Sequence, residues 1–397
     1  MSLSLPVKSN FDIPDNLIYL DGNSLGPLPR SVSERVASVI SEQWGAKLIK
    51  GWNECRWMEQ PGRVGDKLAK LIGADKGTVV MGDTLSIKVY QALCAALKMN
   101  PDRRIVLSDT GNFPTDLYMA QGLIDLLGQD YVLKLAEPDE VLKAIDDSVA
   151  VVMLTQVDYR TGRLHDMKSL TKASHAAGAA VIWDLAHTAG AMPIQLSDSQ
   201  CEFAVGCTYK YLNGGPGAPA FIYIRPDLVS SSSPSLAGWL GHESPFAFDK
   251  TYRPAQSIER MRVGTPPVLQ MAALEAALDV WDGVDMQAIR EASIQLSQRF
   301  IKEVEARCPE LDLASPRDPA LRGSQVSFSF EHGYAVVQAL IANDVVGDFR
   351  APDIMRFGFT PLYLDEADIV TAVDRLEVIL KEKIWAQPEF QVKKAVT

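Results

Sequence analysis

Short apolar runs alternate with segments of helical periodicity along most of the chain. The apolar runs are rich in β-branched residues and too short for helices, and they lie at residues 79–81, 104–108, 149–155, 180–183, 203–207 and 220–224. Helical spacing follows between them, at residues 61–72, 87–97, 116–127 and 167–177. This alternation predicts an α/β fold in which a mainly parallel sheet carries helices on both faces.

The pattern changes after the loop that contains Pro266 and Pro267, because successive prolines interrupt regular hydrogen bonding. Beyond this loop, longer helical patterns alternate with short strands. We therefore expect a large domain at residues 51–267 and a smaller α+β domain at residues 268–397. The segment at residues 1–50 is expected to pack with the small domain.

An acid and a lysine follow two of the buried strands. Asp184 comes directly after the run at 180–183, and Lys210 lies between the run at 203–207 and a glycine-rich turn. Ligands of open α/β sheets bind beyond the carboxyl ends of the strands. Such a pair suits pyridoxal phosphate, because the lysine amine forms a Schiff base with the aldehyde and the carboxylate keeps the ring nitrogen protonated. Alone, each residue is more often a helix cap or a surface lysine.

The surrounding motifs resemble those of the kynureninase family. They are Asp184-Leu185-Ala186-His187 and the segment TYKYLNGGPG from Thr208 to Gly217, and the resemblance extends from Tyr19 to about Tyr363. It implies a fold-type I, transferase-like pyridoxal-phosphate enzyme with a seven-stranded type of sheet. The implied reaction is hydrolytic Cβ–Cγ cleavage of L-kynurenine to anthranilate and L-alanine in tryptophan catabolism, and it needs no metal.

The resemblance also implies roles for individual residues. The implied catalytic residues are Lys210, Tyr209 and Asp184. The implied cofactor-binding residues are Asp184, Lys210, Leu85, Ser86, Phe113, Asp116, His187, Tyr209, Trp239 and Thr265. Trp52 and Arg356 are implied to bind the substrate, and Arg356 is implied to hold the α-carboxylate.

Several of these residues also have an ordinary structural interpretation. Asp116 alone is typical of a helix cap, Phe113 and Trp52 of a core, and Arg356 of an ion pair. The residue types nevertheless suit the implied roles. The turn before Ser86 opens a helical pattern, where exposed N–H groups favour an anion. The planar guanidinium of arginine matches a carboxylate better than an ammonium does.

Composition narrows the possible partners. The 397-residue chain has 39 basic and 50 acidic residues, a formal charge of −11, and no basic run that would follow a nucleic-acid backbone. The N-terminus lacks a basic segment followed by a sustained apolar one, and no later run is long enough to span a bilayer. We therefore expect a cytoplasmic protein with a small-molecule substrate, without nucleic-acid or membrane partners.

The positions of the cysteines bear on whether this chain is a cysteine desulfurase. All five lie outside CxxC pairs, which argues against a disulfide framework or a zinc site. Cys308 lies in the C-terminal part, where cysteine desulfurases of the same broad fold carry their nucleophile, but its position before Pro309 at the end of a helical pattern favours packing or capping. The rival functions are a class V aminotransferase, a desulfurase-like lyase, or a non-catalytic protein that binds pyridoxal phosphate.

Two further expectations come from the resemblance. In the family, the loops equivalent to Trp239 and Thr265 reach the cofactor phosphate of the partner subunit, which implies a homodimer with shared active sites. Trp52 and Thr265 stand where the animal enzymes, which favour 3-hydroxykynurenine, carry histidine and asparagine. This chain is therefore expected to prefer kynurenine.

Overall fold

The computed structural model describes residue 5, residues 7–128 and residues 130–394. The strands of this part of the chain are β1 (Ile18–Tyr19), β2 (Val79–Met81), β3 (Ile105–Asp109), β4 (Val132–Ala136), β5 (Val149–Thr155), β6 (Ala180–Asp184), β7 (Phe203–Gly206), β8 (Phe221–Ile224), β9 (Asp312–Leu313), β10 (Gln325–Ser329), β11 (Val345–Val346), β12 (Asp348–Arg350) and β13 (Ile354–Gly358). The α-helices are α1 (Arg30–Ser38), α2 (Gly51–Glu54), α3 (Gln60–Leu71), α4 (Leu85–Met99), α5 (Pro114–Leu127), α6 (Val141–Ala144), α7 (Met167–Ala176), α8 (Leu196–Ser199), α9 (Val268–Ala277), α10 (Met286–Arg307), α11 (Gly333–Ala342), α12 (Glu366–Lys381) and α13 (Pro388–Gln391).

The central sheet has seven strands in the order β2-β8-β7-β6-β5-β3-β4. Strand β8 runs opposite to the other six strands of this sheet, so the prediction of a mainly parallel sheet is confirmed. Strands β5 and β6 are buried along their whole length because helices cover both faces. Successive residues of β6 alternate between two cores. Val181 and Trp183 join α3 and α7, whereas Ala180 and Ile182 join α4 and α5.

The carboxyl ends of the parallel strands meet at one edge of the sheet. Asp109, Thr155, Asp184 and Gly206 are the last residues of β3, β5, β6 and β7. Strand β2 points in the same direction as β7, since both are antiparallel to β8. The start of α4, just beyond β2, therefore lies at this same edge.

A second sheet, with the order β12-β13-β10-β9, is antiparallel and packs with α10, α11 and α12. Strand β1 pairs in parallel with β11, so the N-terminal segment contacts the C-terminal part of the chain. This pairing agrees with the proposed division at residues 50 and 267, which remains a proposal. Residues 1–4, 6, 129 and 395–397 of the expected domains lie outside the described residues.

Strand β4 was not predicted from the hydrophobic pattern. Strand β4 lies at the sheet edge with its side chains half-buried or exposed, so its sequence lacks the apolar run of a central strand. In the N-terminal segment, α1 continues directly into a π-helical segment, Val39–Gly45. Among the helices of the described residues, none has the length and apolarity needed to cross a membrane.

Candidate active site

Lys210 lies in the turn after β7, where its ammonium group contacts a histidine. The Nζ atom donates a hydrogen bond to Nε2 of His187 at 2.8 Å. Burial lowers the pKa of His187 well below its usual range, and the charge of Lys210 lowers it further, so the imidazole is neutral. Nε2 then accepts and Nδ1 carries the proton. Nδ1 is buried without a hydrogen-bond partner among the described residues.

Asp184 ends β6 as a buried carboxyl group. Its Oδ1 accepts from the Ala186 N–H at 2.9 Å, and its Oδ2 lies 3.3 Å from the Thr155 hydroxyl. Burial raises the pKa of Asp184 to about 6, although Lys210 opposes this by favouring the charged form. The carboxyl group is therefore poised to bind a cationic partner.

Asp116, in the first turn of α5, lies beside Asp184. Burial raises the pKa of Asp116 well above its usual range, and the negative charge of Asp184 raises it further. Its Oδ2 has no hydrogen-bond partner within the described ranges. Two adjacent buried carboxyl groups do not both ionise easily, so Asp116 holds its proton more firmly than Asp184.

Two residues of this network were missed by the sequence reasoning. The Thr155 hydroxyl donates to Oδ1 of Asn112 at 2.5 Å, and that oxygen also accepts from the Phe113 N–H at 2.7 Å. Thr155 thus links Asp184 to the segment that carries Phe113. Its position at the end of β5, matching that of Asp184 at the end of β6, is the sequence signal that could have identified it.

Aromatic rings line the space around the Lys210 ammonium. The rings of Phe113 and Tyr209 each have their centroid 5.8 Å from Nζ. Phe113 packs edge-on against Tyr159, with centroids 5.1 Å apart, and remains 37% exposed. Burial raises the pKa of Tyr209 above its usual value, so the phenol keeps its proton and can donate it.

The start of α4, at the same sheet edge, lacks a side-chain cap for its first N–H groups. Leu85 and Ser86 are its first two residues, and the side chain of the N-cap residue Thr84 makes no capping hydrogen bond. Two hydrogen bonds join this turn to Ala220, the residue before β8. The Gly82 N–H donates to the Ala220 carbonyl at 2.9 Å, and the Ala220 N–H donates to the Asp83 carbonyl at 3.0 Å. The unpaired N–H groups of a first turn attract an anion.

Arg356 is fully buried on β13 and is held by several acceptors. Its Nε donates to Asp348 Oδ1 at 2.6 Å, and Nη2 contacts Asp348 Oδ2. Nη2 also donates to Ser24 Oγ at 2.8 Å, and Nη1 to the Tyr159 carbonyl at 2.6 Å. A guanidinium has five N–H groups, so one, on Nη1, is left outside these contacts. The sequence reasoning did not assign a role to Asp348.

The other three predicted residues lie away from these contacts: Trp52 in α2, Trp239 at the start of a 3-10 helix and Thr265 in a loop. Trp239 packs edge-on against Phe246 with centroids 5.7 Å apart, and the chain after it contacts the backbone of Val263. Trp52 and Thr265 line an apolar groove of about 510 Å³. Lys210, Asp184 and His187 are not among the residues that line this groove in the described part of the chain.

These residues fit pyridoxal phosphate. A lysine amine is available for the aldehyde, a buried carboxyl group for the ring nitrogen, an exposed phenyl ring for stacking, and a helix start for the phosphate. The unpaired Nδ1 of His187 and Oδ2 of Asp116 are further buried groups that a bound molecule would satisfy. No group of side chains in the described residues could hold a metal ion.

Cys308 packs in the core at the end of α10, as expected from the sequence. Burial raises the pKa of this thiol to about 12, so it is protonated at neutral pH. A reactive cysteine needs an accessible thiolate. Cys308 therefore lacks the environment of a desulfurase nucleophile.

Comparison with solved structures identifies the class. The apo cysteine desulfurase of Thermococcus onnurineus NA1 superposes with a TM-score of 0.80 at 20% identity, over 96% of this chain and 99% of that one. A mutant of C-DES, with glycine covalently linked to its PLP cofactor, also gives 0.80 at 18% identity, over 94% and 99%. The fold is that of the fold-type I pyridoxal-phosphate enzymes.

Sequence comparison identifies the family within this class. The kynureninase of Pseudomonas fluorescens is 49% identical over 99% of this chain and 96% of that protein. The kynureninase of Burkholderia pseudomallei strain 1106a is 47% identical over the same shares. A family model, the kynureninase C-terminal domain, matches residues 289–376. The chain belongs to the kynureninase family.

Because the pKa of Asp184 is raised, we expect Asp184→Asn to increase the folding stability of the cofactor-free chain by an amount that depends on pH. The folded chain keeps a proton up to about pH 6 that the unfolded chain releases near pH 4, so the wild type loses stability across this interval as the pH rises. The asparagine amide does not ionise, so this loss of stability disappears. Its oxygen can accept from the Ala186 N–H, and its NH2 group can donate to the Thr155 hydroxyl. We expect the variant to be more stable by about 1–3 kcal/mol at pH 8, measured by denaturant unfolding.

The gain should shrink as the pH falls below about 6. Asp166→Asn is the matched control, because Asp166 caps α7 and the hydrogen bonds from Ser169 lower its pKa, which is the opposite direction. It should give no gain at pH 8. An Asp184→Asn gain that is equal at pH 5 and pH 8 would contradict the assignment.

Proposed function

We propose that this chain hydrolyses L-kynurenine to anthranilate and L-alanine with pyridoxal phosphate as cofactor. The observation that carries the proposal is the contact between Lys210 and the neutral His187 beside the buried Asp184. Membership of the kynureninase family supports the substrate and the bond that is cleaved. The substrate class is a small amino acid with an aryl ketone side chain.

Pyridoxal phosphate, when bound, supplies an electron-accepting ring for the carbon atoms next to the substrate amine. Lys210 provides the amine that holds the cofactor and then moves the proton at the substrate Cα. His187 accepts from the Lys210 ammonium, which fixes the position of Nζ between the two aromatic rings. Asp184 holds the ring nitrogen protonated, and Asp116 remains the proton-bearing neighbour.

Leu85 and Ser86 are proposed to bind the cofactor phosphate with the first turn of α4. Phe113 is proposed to stack on the cofactor ring, since its face remains partly exposed near Nζ. Tyr209 is proposed as a phosphate contact and proton donor, and its protonated phenol supports this role.

Arg356 is proposed to bind the substrate α-carboxylate. Asp348 fixes the guanidinium through two contacts, and Ser24 and the Tyr159 carbonyl hold its remaining edges. A charged group held in this way pays little entropy when it binds an anion. A non-catalytic cofactor-binding protein would have no use for this residue.

Lys210→Met should abolish the formation of anthranilate from kynurenine, with kcat reduced by about a thousandfold or more, because the amine that moves the proton is lost. Borohydride reduction of the wild type followed by peptide mass mapping should locate the pyridoxyl group on Lys210. Lys98→Met, a surface change on α4, is the control and should retain activity. A label on another lysine would contradict the site. Release of sulfide from added cysteine, or conversion of kynurenine to its 2-oxo acid without anthranilate, would favour one of the rival enzymes.

We also propose a homodimer in which Trp239 and Thr265 complete the partner's cofactor site. The groove that contains Thr265 is apolar, and its rim residues Leu48 and Ile49 are 64% and 77% exposed. Exposed apolar surface of this kind marks an interface. A second copy of this chain is the proposed occupant of the groove. It would bring its Lys210 turn close to Trp239 and Thr265, which lie away from the Lys210 site of their own subunit.

Complementation tests the shared site. Lys210→Met and the double variant Trp239→Ala with Thr265→Ala should each be inactive, but mixed subunits should recover about a quarter of wild-type activity, since half the dimers are hybrid and each has one intact site. Mixing after unfolding and refolding, with unmixed samples as controls, gives the comparison. No recovery, or an active monomer by light scattering, would contradict the arrangement.

The expected preference for kynurenine over 3-hydroxykynurenine is also a proposal. Trp52 packs edge-on against Trp57, and the groove that it shares with Thr265 has mainly apolar walls. A ring hydroxyl there would find few partners. A buried hydroxyl without a hydrogen bond costs about 1–3 kcal/mol.

Wild-type kcat/KM should therefore be higher for kynurenine than for 3-hydroxykynurenine. Trp52→His with Thr265→Asn supplies hydrogen-bonding groups and should shift the ratio towards the hydroxylated substrate by about tenfold. Trp44→His, a change in the same groove at a residue without an implied role, should leave the ratio unchanged. A wild type that prefers the hydroxylated substrate would refute the proposal.

The cellular location is proposed from the cysteines. All five are free, and four of them are buried, which suits a reducing compartment. A cytoplasmic location follows, and fractionation of cells that express the tagged chain would test it.

A further inference from the structure

A lysine is fully buried in the first turn of α4, beside the turn proposed to bind the cofactor phosphate. The side chain of Lys88 has no exposed surface. Both its burial and its place near the positive end of the helix dipole oppose a charged ammonium. A lysine in this position therefore needs specific compensation.

Three acceptors supply this compensation. Nζ donates to Asp83 Oδ2 at 3.2 Å, to Gln91 Oε1 at 2.9 Å and to the Met261 carbonyl at 3.1 Å. An ammonium has three hydrogens, so all of its donors are used. Gln91 Nε2 donates to the same Met261 carbonyl at 3.1 Å, which fixes this arrangement from a second side.

These contacts join two segments that are distant in sequence. Asp83 belongs to the turn before Leu85 and Ser86, and its backbone has a φ of 55°, in the left-handed region. Met261 ends the 3-10 helix Ile258–Met261, which is followed by the loop to Thr265. Lys88 therefore connects the proposed phosphate turn to the loop that carries the residue proposed to reach the partner's phosphate.

Lys88 also changes the charge that an anion meets at this turn. Asp83 is partly exposed, with 34% of its side chain accessible, and alone it would repel a phosphate near the first N–H groups of α4. The ammonium neutralises this carboxylate from beneath. Arg262, close enough to lower the pKa of Lys88, adds a second cation behind the turn.

We propose that Lys88 is a positioning residue for the cofactor phosphate: it holds the Asp83–Ser86 turn against Met261 and offsets the charge of Asp83, so that this chain selects the phosphorylated cofactor. The inference rests on the proposed function, because the ligand of the turn is the phosphate of pyridoxal phosphate. It concerns affinity for the phosphate group and involves no step of the reaction.

The test compares pyridoxal phosphate with pyridoxal, which lacks the phosphate, as ligands of the full-length chain freed of cofactor. Lys88→Met should raise the Kd for pyridoxal phosphate about tenfold and change the Kd for pyridoxal by less than about twofold. Tryptophan fluorescence titration measures both values. Lys98→Met, the same substitution at an exposed position of α4, is the matched control and should change neither Kd.

If Lys88 had only a general structural role, Lys88→Met would raise the Kd for both ligands equally. That result, or an unchanged Kd for both ligands, would overturn the proposal. Adding Asp83→Asn to Lys88→Met should restore part of the affinity for pyridoxal phosphate, because the uncompensated carboxylate is removed.

If Lys88→Met does not fold, Asp83→Asn in the presence of Lys88 decides the question. It leaves the ammonium without its counter-ion, so the preference for pyridoxal phosphate over pyridoxal should increase about threefold. An unchanged or reduced preference would overturn the proposal. Failure of the proposed function is distinguishable, since the wild type would then bind neither compound through Lys210.

Discussion

The burial of one carboxyl group, Asp184 at the end of β6, governs the chemistry of this site. Raising its pKa from 3.8 to about 6 corresponds to roughly 3 kcal/mol of disfavoured ionisation. The folded chain bears this cost because β6 is the middle strand of the sheet and cannot move towards solvent. A protonated ring nitrogen bound there would recover the cost, so the site is prepared for a cationic heterocycle before that ligand arrives.

The central sheet also positions the polar groups next to Asp184, at the carboxyl ends of its parallel strands. Thr155 reaches both Asp184 and Asn112, and Asn112 in turn accepts from the backbone of Phe113. The polar network thus holds the backbone of Phe113, and the contact with Tyr159 positions its ring. The Gly26 N–H donates to the Tyr209 carbonyl at 2.8 Å. A side chain at position 26 would collide with the Lys210 carbonyl, so this close approach requires glycine. The N-terminal segment therefore closes over the lysine turn.

The sequence predicts the parts of this site that depend on a single strand and the turn after it. Asp184 and Lys210 could be assigned because each follows a recognisable apolar run. Asp348 could not, because it meets Arg356 through the antiparallel pairing of β12 and β13, in which the two residues lie directly opposite each other. Such a register depends on tertiary packing, and β12 is too short to produce a pattern. Trp239 and Thr265 depend still more on context, since their proposed function requires a second subunit.

The fold itself does not select the reaction. A mainly parallel sheet with a lysine turn serves enzymes of several chemistries, so the substrate must be inferred from side chains. In this chain a desulfurase thiol is excluded by position, because Cys308 is buried against the core and keeps its proton. The buried pair of Asp348 and Arg356 suits the proposed binding of a substrate carboxylate, a group that the amino-acid substrates of the rival enzymes also carry. A buried ion pair adds little net stability, since desolvation offsets its attraction. Retaining an arginine there, with one N–H group to spare, is better explained by binding than by folding.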